Sequence, residues 1–261
     1  MGADLSLLRA RLNFSFELPS DGMLSMKRTA EAEPHDTLRR GGDGATCVAV
    51  CRRTVDIVEA EFAKRRAEGA AIACAPGCTF CCHQRVGAYA HEAIALWSRL
   101  HTHPLAARLI TRILANAREI ESMTVEAHRK ANLRCALLVD GRCAAYEVRP
   151  LACARYHSLS RERCEHAFNH PQDVGTRSNA RPALAELQAF GTSVEAATEA
   201  ALGEAGLSST KAELHQLLRV LIENPSLVER WSAGDDIAAF STDAARATDE
   251  RVGASTRSSA P

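Results

Sequence analysis

Residues 74–83 read CAPGCTFCCH, a stretch that contains four cysteines followed directly by a histidine. Pro76 and Gly77 predict a tight turn between the first two cysteines, so this stretch interrupts any helix around it. The chain has a second cysteine group further on. The two groups are Cys74, Cys78, Cys81 and Cys82, and then Cys135, Cys143, Cys153 and Cys164.

The residues between the two cysteine groups predict two helices. One spans about His91 to Thr102, and Pro104 opens a longer one, because proline is tolerated in a first helical turn. Two antiparallel helices return the chain close to its starting point. We therefore expect the two cysteine groups to face each other.

Helical spacing of apolar residues also predicts helices outside the cysteine groups. A helix over about 47–68 precedes them, one from Pro182 follows, and Thr210 with Glu213 has the spacing of a capping box ahead of a further helix. Asn224 and Pro225 end that helix and precede the last one. The predicted fold is mainly α: a helical domain with two cysteine-rich loop segments that form a metal site.

Composition divides the chain into three parts. Residues 1–45 contain many interruptions and predict a loosely ordered N-terminal region. Residues 46–240 form the helical metal-binding domain, with the cysteine cluster at 74–164. Residues 241–261 have almost no large apolar side chains, so we expect a disordered tail.

Charge and hydropathy argue against two classes of partner. The 261 residues carry 32 Lys+Arg and 32 Asp+Glu, so the chain lacks the basic excess typical of nucleic-acid-binding proteins. No run of 18 apolar residues and no secretory signal is present. We expect a cytoplasmic protein that binds neither nucleic acid nor membrane, while an unknown protein partner stays open.

Ten cysteines in a chain without an export signal favour metal ligands over disulfides, since cytosolic thiols stay reduced. Thiolates select zinc, copper(I) and iron–sulfur clusters. A tetrathiolate zinc site carries a charge of about −2, as does an oxidised iron–sulfur cubane. Residues 134–164 contain six arginines against three acidic residues, and this local excess could offset that charge.

Adjacent cysteines raise a separate question, because side chains of neighbouring residues in an extended chain point to opposite sides. We therefore expect Cys81 and Cys82 to serve different metal positions.

These motifs resemble the YkgJ-type cysteine-cluster family, a zinc- or iron-chelating domain with the motif CxxCxxCC. Its later elements are a cysteine, a "dG-x-C" turn, a "Y-x-x-RP-x-x-C-R" element and a final cysteine. Tyr146, Arg149 and Pro150 fit that element, and all eight cysteines have a match. The chain departs in its C-x3-C spacing and in Ala154 after Cys153. The resemblance implies zinc or an iron–sulfur cluster, and it implies an iron–sulfur oxidoreductase as the type of enzyme.

Further residues are weaker candidates. His83 is the best histidine for a ligand or a supporting group, followed by His157 and His166. We expect Cys51 to be a small buried hydrophobe, and the other histidines named here to lie on the surface: His101, His103, His128 and His215. No phosphate-binding loop or catalytic triad is visible.

Two classes of function remain open from the residues. The cluster could transfer electrons or carry out redox chemistry, or it could be structural zinc in a helical module that binds a partner protein.

Overall fold

A computed structural model describes residues 14–17, 25–28, 42–173 and 182–241. The helices within these ranges are α1 Gly42–Ala67, α2 Ala90–Leu100, α3 Ala106–Glu121, α4 Val125–Lys130, α5 Leu151–Ala154, α6 Arg161–Asn169, α7 Ala185–Glu204, α8 Leu214–Glu223 and α9 Leu227–Ser232. Short 3-10 turns cover Phe80–His83, Tyr146–Val148 and Ile237–Phe240.

Within the described ranges, three antiparallel strand pairs accompany the helices. They are β1 Phe14–Glu17 with β2 Ser25–Arg28, β3 Gly87–Tyr89 with β6 Lys211–Glu213, and β4 Leu138–Val139 with β5 Arg142–Cys143. The mainly helical fold class is thereby confirmed, and the helices carry the core.

The core lies where α1 packs along α2 and where α8 packs across α2 and α3. A smaller cluster joins the second half of α1 to α5 and α7, through Val58, Phe62, Leu151 and Phe190. Because α5 carries Cys153, this smaller cluster attaches part of the second cysteine segment to the helical body.

The helical periodicities of the sequence are confirmed. Each predicted apolar face is largely buried: in α1, α3 and α7 these faces include Val55, Ile113 and Val194. The starting points shift by a few residues, since α1 begins at Gly42 and α7 at Ala185. Gly234, with φ +103°, follows the end of α9 as a left-handed terminating residue.

The predicted capping box at Thr210 is wrong. Residues 211–213 extend as β6 against β3, so α8 begins at Leu214, and Glu213 itself caps it by accepting a bond from the Gln216 N–H (3.0 Å). The Thr210 hydroxyl instead donates to Asp236 (2.8 Å). A three-residue strand is too short for its alternation to be visible in a sequence.

The proposed boundaries at 46 and 240 stay predictions. Most of the N-terminal region, at 1–13, 18–24 and 29–41, and nearly all of the C-terminal tail, at 242–261, lie outside the described residues. Among the described helices, none combines the length and the apolar character needed to cross a bilayer.

Candidate metal centre

The first cysteine segment is shaped by short turns of its own. The Cys78 N–H donates to the Ala75 carbonyl (3.0 Å) across Pro76 and Gly77, and Gly77 has φ +85°. Proline and then a left-handed glycine at the two central positions are typical of a type II turn. This turn separates Cys74 from Cys78 and brings the chain back toward Cys81.

Cys81 and Cys82 lie on the 3-10 turn Phe80–His83, so the extended conformation assumed from the sequence is wrong. The Cys82 N–H donates to the Thr79 carbonyl (2.9 Å), and the Gln84 N–H donates to the Cys81 carbonyl (3.2 Å). Successive side chains of a 3-10 helix point about 120° apart, because it has about three residues per turn. The two thiols therefore still leave the backbone in different directions.

The second cysteine segment contains a hairpin and two short helices. Asp140 and Gly141, with φ of 47° and 76°, join β4 to β5, which ends at Cys143. Such a two-residue turn matches the twist of the flanking strands. Cys153 lies on α5 and Cys164 on α6, so these two cysteines are on helices rather than in loops.

The two segments meet at their backbones. The Cys135 N–H donates to the carbonyl of Cys82 (2.8 Å), which links the second segment directly to the first. On the other side, the Ala73 N–H donates to the Ser158 carbonyl (2.8 Å). The expected meeting of the two cysteine groups is confirmed by these two bonds.

Mutual repulsion between thiolates divides the cysteines into two overlapping sets. Burial raises the pKa of Cys74 and Cys78, and the charges of Cys81 and Cys164 raise it further. The first set thus comprises the thiols near Cys74, and Cys81 is a member of it.

The second set surrounds Cys143 and Cys153. Burial raises the pKa of Cys143 to about 11 and that of Cys153 well above its usual value, and the charges of Cys135 and Cys81 add to both shifts. Cys81 is therefore common to both sets. Without a cation nearby these thiols hold their protons, which a bound metal ion would displace.

Backbone N–H groups and arginines oppose this repulsion. The Phe80 N–H bonds to the Cys78 thiol, two residues before it, and lowers the pKa of that thiol. The Ala145 N–H does the same for the Cys143 thiol. Bonds that favour the charged form of a thiol prepare it for a metal. Arg161 lowers the pKa of Cys78 in the same direction.

Only part of the expected arginine excess lies at the thiols. Arg149 lowers the pKa of Cys143, whereas Arg155 pairs with Glu195 of α7 (2.9 Å). Arg112 of α3, outside the segment, donates to the Cys135 carbonyl (3.2 Å). The charge compensation therefore comes from more than one part of the chain.

The donor set suits a soft metal by its chemistry. None of the ten cysteines, all of which lie at 47–164, forms a disulfide. In the described part of the chain, no group of three or more cysteine, histidine, aspartate or glutamate side chains lies close enough together to hold one metal ion. Coordination would thus require the thiols to turn toward one another, which rotation about χ1 allows at partly exposed positions.

The three candidate histidines differ in their surroundings. His83 Nδ1 donates to the Thr79 carbonyl (3.1 Å), which leaves Nε2 as the acceptor nitrogen of the neutral ring. Burial lowers the pKa of His83, which favours that neutral form. His157 is buried, and its Nε2 accepts from the Leu184 N–H (3.1 Å), so it is committed to packing. His166 is exposed and stacks on His170.

Two of the histidines expected on the surface are buried, and that expectation is wrong for them. His128 and His215 have relative exposures of 4% and 6%. His215 lies in the first turn of α8, and its Nδ1 donates to Glu213 (2.9 Å). Its Nε2 accepts from the N–H of Ala136, the residue after Cys135 (3.1 Å). The Glu-x-His spacing gave no signal, because it depends on a strand–helix junction that the sequence pattern did not reveal.

Cys51 fits the expectation of a small buried hydrophobe. It lies in the core between α1 and α2, at a relative exposure of 3%, beside Cys47. Burial raises the pKa of Cys51 well above its usual value, and the charges of Glu92 and Cys47 add to the shift. None of the eight candidate metal-binding cysteines is among the causes of this pKa shift.

Buried charged side chains hold the backbone of the second segment. Glu92 of α2 accepts from the N–H groups of Tyr89 (2.9 Å) and Leu151 (2.6 Å) and so fixes the start of α5. The Arg149 guanidinium lies 3.8 Å from the centre of the Tyr146 ring, and both side chains bond to Glu59 of α1. The tyrosine and arginine of the motif therefore connect the segment to the helical body.

The comparisons with known proteins give one match. Residues 73–174 match the CxxCxxCC family, described as "Putative zinc- or iron-chelating domain". The match contains all eight candidate cysteines and bears out the resemblance seen in the motif; it supports metal binding without specifying the metal. No curated protein and no solved structure matches the chain.

Proposed function

We propose that the eight cysteines of residues 74–164 bind zinc or an iron–sulfur cluster, and that the protein works in the cytoplasm, where its thiols stay reduced. The observation that carries the proposal is the docking of two cysteine segments through the bond from the Cys135 N–H to the Cys82 carbonyl. This docking gathers thiols from distant positions, and their mutual repulsion is relieved when a cation binds.

The proposed ligands form two positions. Cys74, Cys78 and Cys164 contribute to one, and Cys135, Cys143 and Cys153 to the other. Cys81 and Cys82 lie on the 3-10 turn Phe80–His83, and the charge of Cys81 acts on thiols of both positions. Because their side chains diverge, we assign the two adjacent thiols to different positions, in keeping with the expectation from the sequence.

Redox or electron transfer is the leading role. An iron–sulfur cluster held by thiolates supplies a one-electron couple, while the protein sets its potential through charge and hydrogen bonds. The N–H bonds to Cys78 and Cys143 and the guanidinium of Arg149 are the groups of this chain that would stabilise the reduced, more negative form.

Structural zinc in a helical module that binds a partner protein is the second candidate. It is favoured by the small amount of regular structure in the second segment, where β4, β5 and α5 have two to four residues each. Loops of this kind gain folding free energy when a metal joins them. Under this alternative, the thiolates close the coordination sphere and leave no open position for a substrate.

Purification without air separates the two candidates. The full chain would be analysed for zinc, iron and acid-labile sulfide, and its visible absorption would be recorded. Broad visible absorption with iron and sulfide supports redox chemistry, whereas a colourless zinc protein supports the structural role. Protein without either metal, and with disulfides found by mass spectrometry, would refute metal binding altogether.

Replacement of Cys82 tests the assignment of the two positions. Cys82→Ser is expected to remove about half of the bound metal and to leave the rest, because only one position loses a ligand. Cys51→Ala is the matched control, since its thiol is buried away from both sets. Complete loss of metal in Cys82→Ser would indicate one shared cluster instead of two positions.

A further inference from the structure

Two linked, buried polar residues outside the segment that matches the chelating family lie beside the loop that carries Cys135. Glu213 is fully buried and His215 nearly so, at relative exposures of 0% and 6%. His215 Nδ1 donates to Glu213 Oε1 (2.9 Å), and Glu213 Oε2 accepts from the Gln216 N–H (3.0 Å). The carboxylate therefore holds the imidazole in one orientation.

The other ring nitrogen of His215 faces the loop that carries Cys135. His215 Nε2 accepts from the Ala136 N–H (3.1 Å), and the Asn116 amide nitrogen lies 3.4 Å away. Asn116 also donates to the Arg134 carbonyl (2.8 Å). The His215 ring thus contacts Ala136, the residue directly after Cys135. Asn116 holds Arg134, the residue directly before Cys135.

The loop around Cys135 has no helix or strand of its own to fix it. Arg112 donates to the carbonyls of Cys135 (3.2 Å) and Leu138 (3.1 Å), and Arg134 donates to the same Leu138 carbonyl (3.1 Å). Bonds from the distant side chain of Arg112, together with the backbone bond from the Cys135 N–H to Cys82, therefore help to fix where the Cys135 thiol lies. His215 adds a bond of this kind at the residue that follows Cys135.

We infer that Glu213 and His215 are positioning residues for the metal position formed by Cys135, Cys143 and Cys153. The inference rests on the proposed metal-binding function. Groups outside the coordination sphere that hold metal ligands in place orient those ligands, and loss of such a group costs about 10- to 100-fold in metal affinity. Glu213 and His215 then belong to the metal centre, although the family match ends at residue 174.

A neighbouring residue provides the matched control. Gln216 is as buried as Glu213 and lies, like His215, in the first turn of α8, but its amide donates to the Ala117 carbonyl of α3 (2.6 Å). Its side chain makes no described contact with the cysteine segments. Gln216→Leu should therefore lower the melting temperature without changing metal binding.

The experiment compares His215→Phe, His215→Gln and Gln216→Leu with the unaltered full chain. Each protein is reloaded with Zn²⁺ alone, and its bound zinc and zinc affinity are measured by competition with a chromophoric chelator. We expect His215→Phe to lower the affinity for about half of the bound zinc by about 10-fold or more, and to leave the affinity for the other half unchanged. His215→Gln should recover part of the loss, because its amide oxygen can accept the Ala136 N–H.

Unchanged zinc binding in His215→Phe, or an equal loss in Gln216→Leu, would overturn the inference, since the pair would then contribute only to folding. If His215→Phe does not fold, Glu213→Gln decides by the same measurement: weakened zinc binding supports the inference and full binding refutes it. Absence of metal from the unaltered protein purified without air, and failure of its reduced form to take up Zn²⁺, would refute the proposed function itself. The two failures are thus distinguishable.

Discussion

The two cysteine segments, which meet at their backbones, take their shapes by different means. Residues 74–83 are shaped by neighbours in sequence: the turn at Pro76–Gly77 and the 3-10 turn at Phe80–His83 use hydrogen bonds within the segment. Residues 135–164 are held by side chains from distant helices. Glu92, Arg112 and His215 bond to the backbone of this segment directly. Glu59 of α1 holds it by accepting from the Arg149 side chain.

This difference indicates which segment depends more on the rest of the protein. Local turns persist as long as their proline and glycine are present, whereas bonds from distant side chains form only in the folded core. We therefore expect the second segment to be the more sensitive to substitutions in the helices. The following predictions test this comparison, from the largest expected effect to the smallest.

Loss of a thiol from the second segment should have the largest effect. Cys143→Ser and Cys153→Ser are expected to lower both metal content and solubility, because metal-binding free energy contributes to folding. Metal analysis and the soluble yield measure this directly. Cys51→Ala should keep its metal and lose only about 1 kcal/mol of unfolding free energy. Equal metal loss in Cys51→Ala would show that the ligand set is wrong.

Removal of the Glu92 carboxylate should come next. Glu92→Ala leaves the N–H groups of Tyr89 and Leu151 without their acceptor, and we expect the free energy of unfolding to fall by about 3 kcal/mol. Denaturant unfolding measures this change. The exposed Glu119 on α3 is the control, since Glu119→Ala should change the stability by less than about 0.5 kcal/mol. Similar values for both variants would contradict the role given to Glu92.

The pH dependence of stability should reveal two opposing groups at the start of α2. Burial lowers the pKa of His91 to about 3, so the unfolded chain binds its proton first, and stability falls as the pH drops from about 6.5 toward 3. Burial raises the pKa of Glu92 to about 7, so the folded chain binds the proton first, and stability rises as the pH drops from about 7 to 4.5.

His91→Phe separates these two contributions. Its unfolding free energy should fall less on acidification than that of the unaltered protein, with most of the difference below about pH 6.5. Denaturant unfolding between pH 8 and 4 provides the measurement. An acid dependence identical to that of the unaltered chain would show that His91 is not buried in its neutral form.

A substitution in the turn of the first segment should have the smallest effect. Gly77→Ala places a side chain at φ +85° with nothing within 4 Å, so the cost is backbone strain alone, on the order of 1 kcal/mol. Gly87→Ala is the control, because it has equal space and does not have a left-handed φ. The melting temperature of the Gly87→Ala variant should stay level or rise slightly. A larger loss at Gly87 than at Gly77 would contradict the local origin of this segment's shape.

The sequence was informative where neighbouring residues decide the structure. The spacing of Val55, Val58 and Phe62 predicted the buried face of α1, and Pro76 with Gly77 predicted a turn. The short helix α6 was missed, although Ser160 caps it by accepting from the Arg163 N–H (3.1 Å). That serine was the available signal, but a nine-residue polar helix has almost no apolar periodicity to accompany it.

The sequence by itself determined the helical class, the two groups of four cysteines and the helices that return one group to the other. Only the tertiary structure decided that the Glu213–His215 pair meets the Cys135 loop and that Glu92 meets the start of α5. The physical reason is that helical periodicity and turn chemistry act over a few residues. A buried carboxylate or imidazole instead depends on a hydrogen-bond partner that distant parts of the chain supply.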